Sequence, residues 1–119
     1  MCQKAFGNYF AALVGTKKTS LKWTKGEPAI FRSSSIVERG FCRDCGTPLS
    51  FAYDTSDRIA VSIGSLDHPG QETPVKQFGA EGMLPAFEIL HTLPATSTED
   101  DVPPEFMEKL KSLQQPDED

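Results

Sequence analysis

Apolar and polar positions along this chain alternate in short stretches with the period of strands rather than helices. Tyr9-Phe10-Ala11-Ala12-Leu13-Val14 predicts a buried strand, stopped by Gly15 and the polar run 16–20. Leu21 and Trp23 alternate with polar neighbours, as a half-buried strand would. After the turn Lys25-Gly26-Glu27-Pro28, Ala29-Ile30-Phe31-Arg32 restarts a strand that Ser33-Ser34-Ser35 breaks. Ile36 to Phe41 forms the next. Leu49 to Tyr53 and Ile59 to Ile63 flank Asp54-Thr55-Ser56-Asp57, the pattern of a hairpin with a four-residue loop. Pro74 to Phe78 and Phe87 to Leu90 are weaker strand patterns. The expected core is the apolar set of these strands: Phe10, Leu13, Phe31, Phe41, Leu49, Phe51, Ile59, Val61, Ile63 and Phe87, with Trp23 a further member or a pocket wall.

The pattern changes near the end. Residues 96–104 are polar, acidic and prolyl and read as a linker. Phe106, Leu110 and Leu113 then recur at helical spacing behind Pro104, which predicts a short amphipathic C-terminal helix. Ser97 to Asp101 and Gln114 to Asp119 hold few large apolar residues to offset the entropy of ordering, so both are expected to be mobile and dispensable. The predicted class is mainly β, with a domain over residues 1–95 and an acidic linker and helical tail over 96–119.

Composition narrows the function. At 119 residues the chain is one domain at most, with a modest core. Lys and Arg number 12 against 17 Asp and Glu, a formal charge of −5, which argues against duplex nucleic acid as a direct partner. No apolar run has the length of a membrane span, and the start MCQKAFGNYF lacks the build of a signal peptide. The 3 cysteines, two of them three positions apart as Cys-x-x-Cys, suit a reducing compartment and a metal or redox role. A cytoplasmic protein is the expectation.

The candidate chemistry lies in Cys42-Arg43-Asp44-Cys45-Gly46-Thr47-Pro48. A Cys-x-x-Cys followed by glycine lets the chain fold back so that two thiolates meet one metal. The flanking strands and the Gly-Thr-Pro sequence favour a structural zinc half-site at Cys42 and Cys45. A thioredoxin-like redox pair would want a helix beginning at the cysteines, which Gly46 and Pro48 oppose. Two metal-free thiols are the third reading. A structural zinc takes four ligands, and Cys2 is the remaining cysteine. His68, in an Asp-His-Pro-Gly turn, and His91, after an apolar run, stand at no zinc-like spacing from another donor.

Several stretches together resemble one family. They are Gly26-Glu27-Pro28, Phe31-Arg32-Ser33-Ser34, Arg39-Gly40-Phe41-Cys42-Arg43-Asp44-Cys45-Gly46-Thr47-Pro48-Leu49, and Ile63-Gly64-Ser65-Leu66-Asp67. They resemble the glutathione-dependent formaldehyde-activating enzymes, also called the centromere protein V family. Leu84-Pro85-Ala86-Phe87-Glu88-Ile89 adds an echo, with Ala86 where the family often has tryptophan. The resemblance runs from Met1 to about Pro94. It implies a β-rich fold of the Mss4-like type with two zincs. One is structural, shared by an early Cys-x-Cys pair and the later pair that Cys42 and Cys45 match. The other is catalytic, held by three cysteines in a Cys-His-Cys-x-x-Cys segment, with Cys2-Gln3 matching its end and Cys2 its third ligand.

The implied activity joins formaldehyde to glutathione, giving S-hydroxymethylglutathione, or breaks that carbon–sulfur bond in reverse. Glutathione or another small thiol adduct is the expected partner, with neither nucleic acid nor membrane. The match of Cys2 to the last catalytic cysteine leads to the expectation that the chain begins inside the family's domain, with Met1 an internal methionine or the start of a truncated gene. On that expectation the remaining ligands lie upstream and the chain alone is inactive. The alternative is a non-catalytic zinc-binding or interaction module, or an inactive remnant.

Overall fold

The structure is a computed structural model that describes residues 1–114. Its contacts separate two compact units, one over Met1–Phe78 and one from Gly79 onward. The first holds a helix, α1 (Cys2–Phe6), and five strands: β1 (Leu13–Lys17), β2 (Ala29–Arg32), β3 (Val37–Phe41), β4 (Pro48–Tyr53) and β5 (Arg58–Ser62). They form one antiparallel sheet in the order β1-β5-β4-β3-β2. The mainly β class follows, with a short C-terminal helix, α3 (Pro104–Lys109), in the second unit.

Adjacent strands joined by short loops make hairpins, and two hairpins share β4. Asp54 to Asp57 turn β4 into β5 with the four-residue loop the alternation predicts, and Ser56 N–H donates back to the Tyr53 carbonyl at 3.3 Å. Cys42 to Thr47 turn β3 into β4. The register sets Arg39 opposite both Phe31 and Phe51, and Gly40 opposite Ile30 and Ser50, with a bulge between Gly40 and Phe41. Arg32 braces the assembly across β3. Its guanidinium donates to both Asp54 oxygens at 2.9 and 3.1 Å, to Glu38 Oε1 at 3.0 Å and to the Ser35 carbonyl at 3.2 Å.

Side chains on a strand alternate between faces, yet burial is uneven. Among the described residues the buried apolar side chains are Val37 and Val61, joined by the polar Arg39, Ser50 and Ser62. Of the expected core, Val61 is buried. Leu13, Phe41, Leu49, Phe51, Ile59, Ile63 and Phe87 are half-buried. Phe10, Phe31 and Trp23 are exposed, Phe31 at 61%. Phe31 stands on β2, an edge strand, and so has cross-strand neighbours on one side only.

Other expectations shift. The first strand begins at Leu13, after a bend through Tyr9 and Phe10. Leu21 to Trp23 and Pro74 to Phe78 make no strand. Phe87 to Leu90 lies inside a 3-10 helix, Pro85–Thr92, where Pro85 supplies the fixed φ that a helix start accepts. The linker 96–104 contains a one-turn helix, α2 (Thr98–Asp101). Ser97 caps it by accepting from Asp100 N–H at 3.2 Å, and Glu99, Asp100 and Asp101 place negative charge at its positive end. The expected mobile end at Gln114 to Asp119 lies, past Gln114, outside the described residues.

Two expectations test this packing. Hydrogen bonds from Arg32 hold the Asp54 carboxyl below the usual carboxylate range. A lowered folded pKa contributes stability above the unfolded value that is lost as pH falls through the folded one. Asp54→Asn should therefore lower the melting temperature at neutral pH, with the gap closing in acid and narrowing in high salt. A gap unchanged in acid would contradict the pairing. At Gly40 an added Cβ would collide with Ser50 Oγ and stand 3.2 and 3.3 Å from Pro28 Cβ and Cγ. Gly40→Ala should destabilise by about 1–3 kcal/mol. Adding Ser50→Ala should recover part of that loss in denaturant titrations, a non-additivity expected of touching residues.

Candidate functional site

Two places gather chemistry in the first unit. One is the turn between β3 and β4. Cys42 N–H donates to the Thr47 carbonyl at 2.9 Å, closing the loop at its base, and Gly46 N–H donates to the Cys42 carbonyl at 2.7 Å. Gly46 has φ +77°, the left-handed region where a side chain is strained, so glycine permits the fold-back after the second cysteine. Cys45 is exposed and Cys42 half-buried. Cys45 Sγ and Thr47 Oγ1 lie 3.0 Å apart. The Thr47 hydroxyl lowers the Cys45 thiol pKa most, followed by the Thr47 backbone N–H and the Cys42 thiol.

The other place is a cavity of about 360 Å³ beside α1, lined by Lys4, Phe6, Phe31, Ser33, Arg39, Gly40, Phe41, Pro48 and Ser50 among others. Arg39 is its most constrained polar group, only 6% exposed. Nε donates to Ser33 Oγ at 3.1 Å and Nη2 to Cys2 Sγ at 3.3 Å. The guanidinium carbon sits 4.8 Å from the Phe51 ring centroid, within cation–π range. Nη1 is buried without a partner. A buried unmet donor costs about 1–3 kcal/mol, and more when charged.

The structure thus places Cys42 and Cys45 on one turn, and Cys2 against Arg39. Among the described residues no three His, Cys, Asp or Glu side chains converge as a metal-holding group. His68 and His91 are exposed. Two thiols on one turn suit half of a tetrahedral zinc, and a closed site needs four donors. The described residues therefore do not complete a zinc site of either kind. Arg39 and Ser33 carry the cavity's hydrogen bonding and were visible in sequence only as parts of motifs. The available signal was position: Val37, Arg39 and Phe41 alternate on one strand, so an arginine falls between two inward apolar residues.

The family model for the glutathione-dependent formaldehyde-activating enzymes matches residues 1–80. No curated protein matches the chain, and no solved structure does.

The turn makes a direct prediction. Thr47→Val removes the largest influence lowering the Cys45 pKa, so less thiolate is present at neutral pH. Iodoacetamide alkylation of Cys45 in chelator-treated protein should slow about threefold or more, because the thiolate is the reactive form. An unchanged rate, read by peptide mass spectrometry, would mean the hydroxyl does not act on the sulfur.

Proposed function

This chain belongs to the glutathione-dependent formaldehyde-activating enzyme family, and from that we propose that it is a zinc-binding protein of carbon–sulfur lyase type acting on a glutathione adduct of formaldehyde. The match over residues 1–80 carries the reading, because that span holds all five strands and every cysteine. In the proposed reaction the glutathione sulfur bonds to the formaldehyde carbon. The carbonyl electron pair moves to oxygen, which takes a proton to give S-hydroxymethylglutathione, and cleavage runs the same steps backwards.

We assign Cys42 and Cys45 to a structural zinc and Cys2 to a reactive zinc, in both cases with further ligands from outside the described residues. Zinc would supply thiolate stabilisation and structural cross-linking. The chain's own contribution is shape and charge. Phe6, Phe31, Phe41 and Pro48 give the cavity apolar walls, Lys4 and Arg39 give it positive charge, and Arg39 fixes Cys2 at its edge. No helix among the described residues is long and apolar enough to cross a membrane.

One observation favours a second reading. The described residues gather no three-donor group, which suits a non-catalytic zinc-binding or interaction module on the same fold. Zinc analysis and NMR exchange between ¹³C-formaldehyde and S-hydroxymethylglutathione separate the two, on protein purified from its natural source. Exchange above background that is lost in Cys2→Ala supports the lyase. Zinc without exchange supports the module, and absence of both defeats each.

A further inference from the structure

Arg39 is a charged group deep in the fold with no described counter-charge. A guanidinium keeps its charge across the working pH range of proteins and offers five N–H donors. Nε spends its one on Ser33 Oγ, and Nη2 spends one of its two on Cys2 Sγ, a weak acceptor. Both donors of Nη1 remain unmet. The ion pairs of the neighbouring strands go elsewhere: Glu38 and Asp54 are held by Arg32. Buried charges in folded proteins are ordinarily paired, because an unpaired one gives up hydration for nothing. A counter-charge for Arg39 would therefore come from outside the described residues.

The surroundings say what kind of partner fits. The free edge of the guanidinium, between Nη1 and Nη2, is a planar fork that matches the two oxygens of a carboxylate. Lys4 adds a second positive charge to the lining, and no acidic side chain lines the cavity. Most other lining groups are apolar, including Phe6, Phe31, Phe41 and Pro48. Phosphate, more highly charged and hydrated, would want more donors than Arg39, Lys4 and the two serine hydroxyls supply. The volume of about 360 Å³ lies at the low end of small-molecule pockets.

We propose that this cavity is a binding site for the carboxylate of a small organic acid with an apolar body, anchored end-on by Arg39 Nη1 and Nη2 and supported by Lys4. Entry needs α1 to shift, because Nη1 is sealed from solvent. α1 is suited to move: it is five residues long and none of them is buried. Its Cys2 sulfur is a weaker acceptor for Nη2 than a carboxylate oxygen, so the incoming acid replaces a poor hydrogen bond with a charge-assisted one. Glutathione has two carboxylates and belongs to this class, which ties the site to the function proposed above. Acids without a thiol test it separately.

The test is NMR titration of the ¹⁵N-labelled chain, following the Arg39 side-chain N–H signals and the Gly40 and Phe41 amides. The probes are 3-phenylpropionate, 3-phenylpropionamide, inorganic phosphate, glutathione and glutathione diethyl ester. Phenylpropionate should shift these signals saturably, and the uncharged amide should bind about tenfold more weakly or worse. Lys4→Gln should weaken the acid by about threefold, and Arg39→Lys should keep a reduced, still saturable response.

Phenylpropionate binding without glutathione binding supports the carboxylate site and sinks the glutathione reading. Glutathione and its diester binding equally well does the reverse. Tighter binding of phosphate than of either acid overturns the carboxylate class. If no probe moves the Arg39 signals of the unmutated protein, the site is overturned outright, including in favour of an acidic side chain from another protein segment.

Discussion

The pairing of β3 with β4, closed by the turn from Cys42 to Thr47, is the constraint on which the rest depends. The hydrogen bond from Cys42 N–H to the Thr47 carbonyl fixes where one strand ends and the next begins. A slip of one residue would move every side chain of a strand to the opposite face. In the register adopted, Arg39 falls between Phe31 and Phe51, and Gly40 falls against Ser50. The first pairing buries a guanidinium on an aromatic ring. The second uses the absence of a side chain to let β3, β4 and the Pro28 segment approach. The turn that gathers two thiols is thus also what sets the register of the cavity.

Such a fold has an unusual division of labour. Few apolar side chains are buried among the described residues, while Arg39, Ser50 and Ser62 are. Ser62 Oγ donates to the Pro48 carbonyl at 2.7 Å, joining the end of β5 to the start of β4, and Ser65 Oγ donates to the Ser62 carbonyl at 2.7 Å. Sheet hydrogen bonds and these side-chain ties therefore do work that a larger apolar core does elsewhere. Each hydrogen bond contributes only about 0.5–1.5 kcal/mol net, so a bound metal or ligand would count for much in a domain of this kind.

The hairpin of β4 and β5, the strand leading into the cysteines and the C-terminal helix were legible because each is a local pattern with a clear stop. Asp54 to Asp57 ends one alternation and starts another, and Pro104 precedes one helical period. The misread segments lacked that closure. Phe87 to Leu90 is apolar without alternation, a pattern that does not separate strand from helix. Ser97 is followed by Glu99, Asp100 and Asp101, a helix-start signal that the acidic, prolyl surroundings concealed. The core was overestimated for a different reason. Alternation tells which residues share a face and not whether anything covers that face, so Phe10 and Phe31 are on strands or beside them and still exposed.

The two chemical features meet on β3. Arg39 and Cys42 lie three positions apart on it and its following turn, either side of Gly40 and the bulge before Phe41. A bulge bends its strand and increases the local twist. Ligation at the turn and anion binding at Arg39, as proposed above, would therefore be mechanically linked without sharing atoms. Tightening the turn fixes the end of β3, and the end of β3 carries the cavity wall at Gly40 and Phe41. Cys2 closes the circuit from the other side, because its sulfur takes the hydrogen bond of Nη2. Whatever draws Cys2 away would free the guanidinium edge, so the unligated Cys2 thiol and an incoming anion would compete for the same arginine, and a metal on Cys2 would release it.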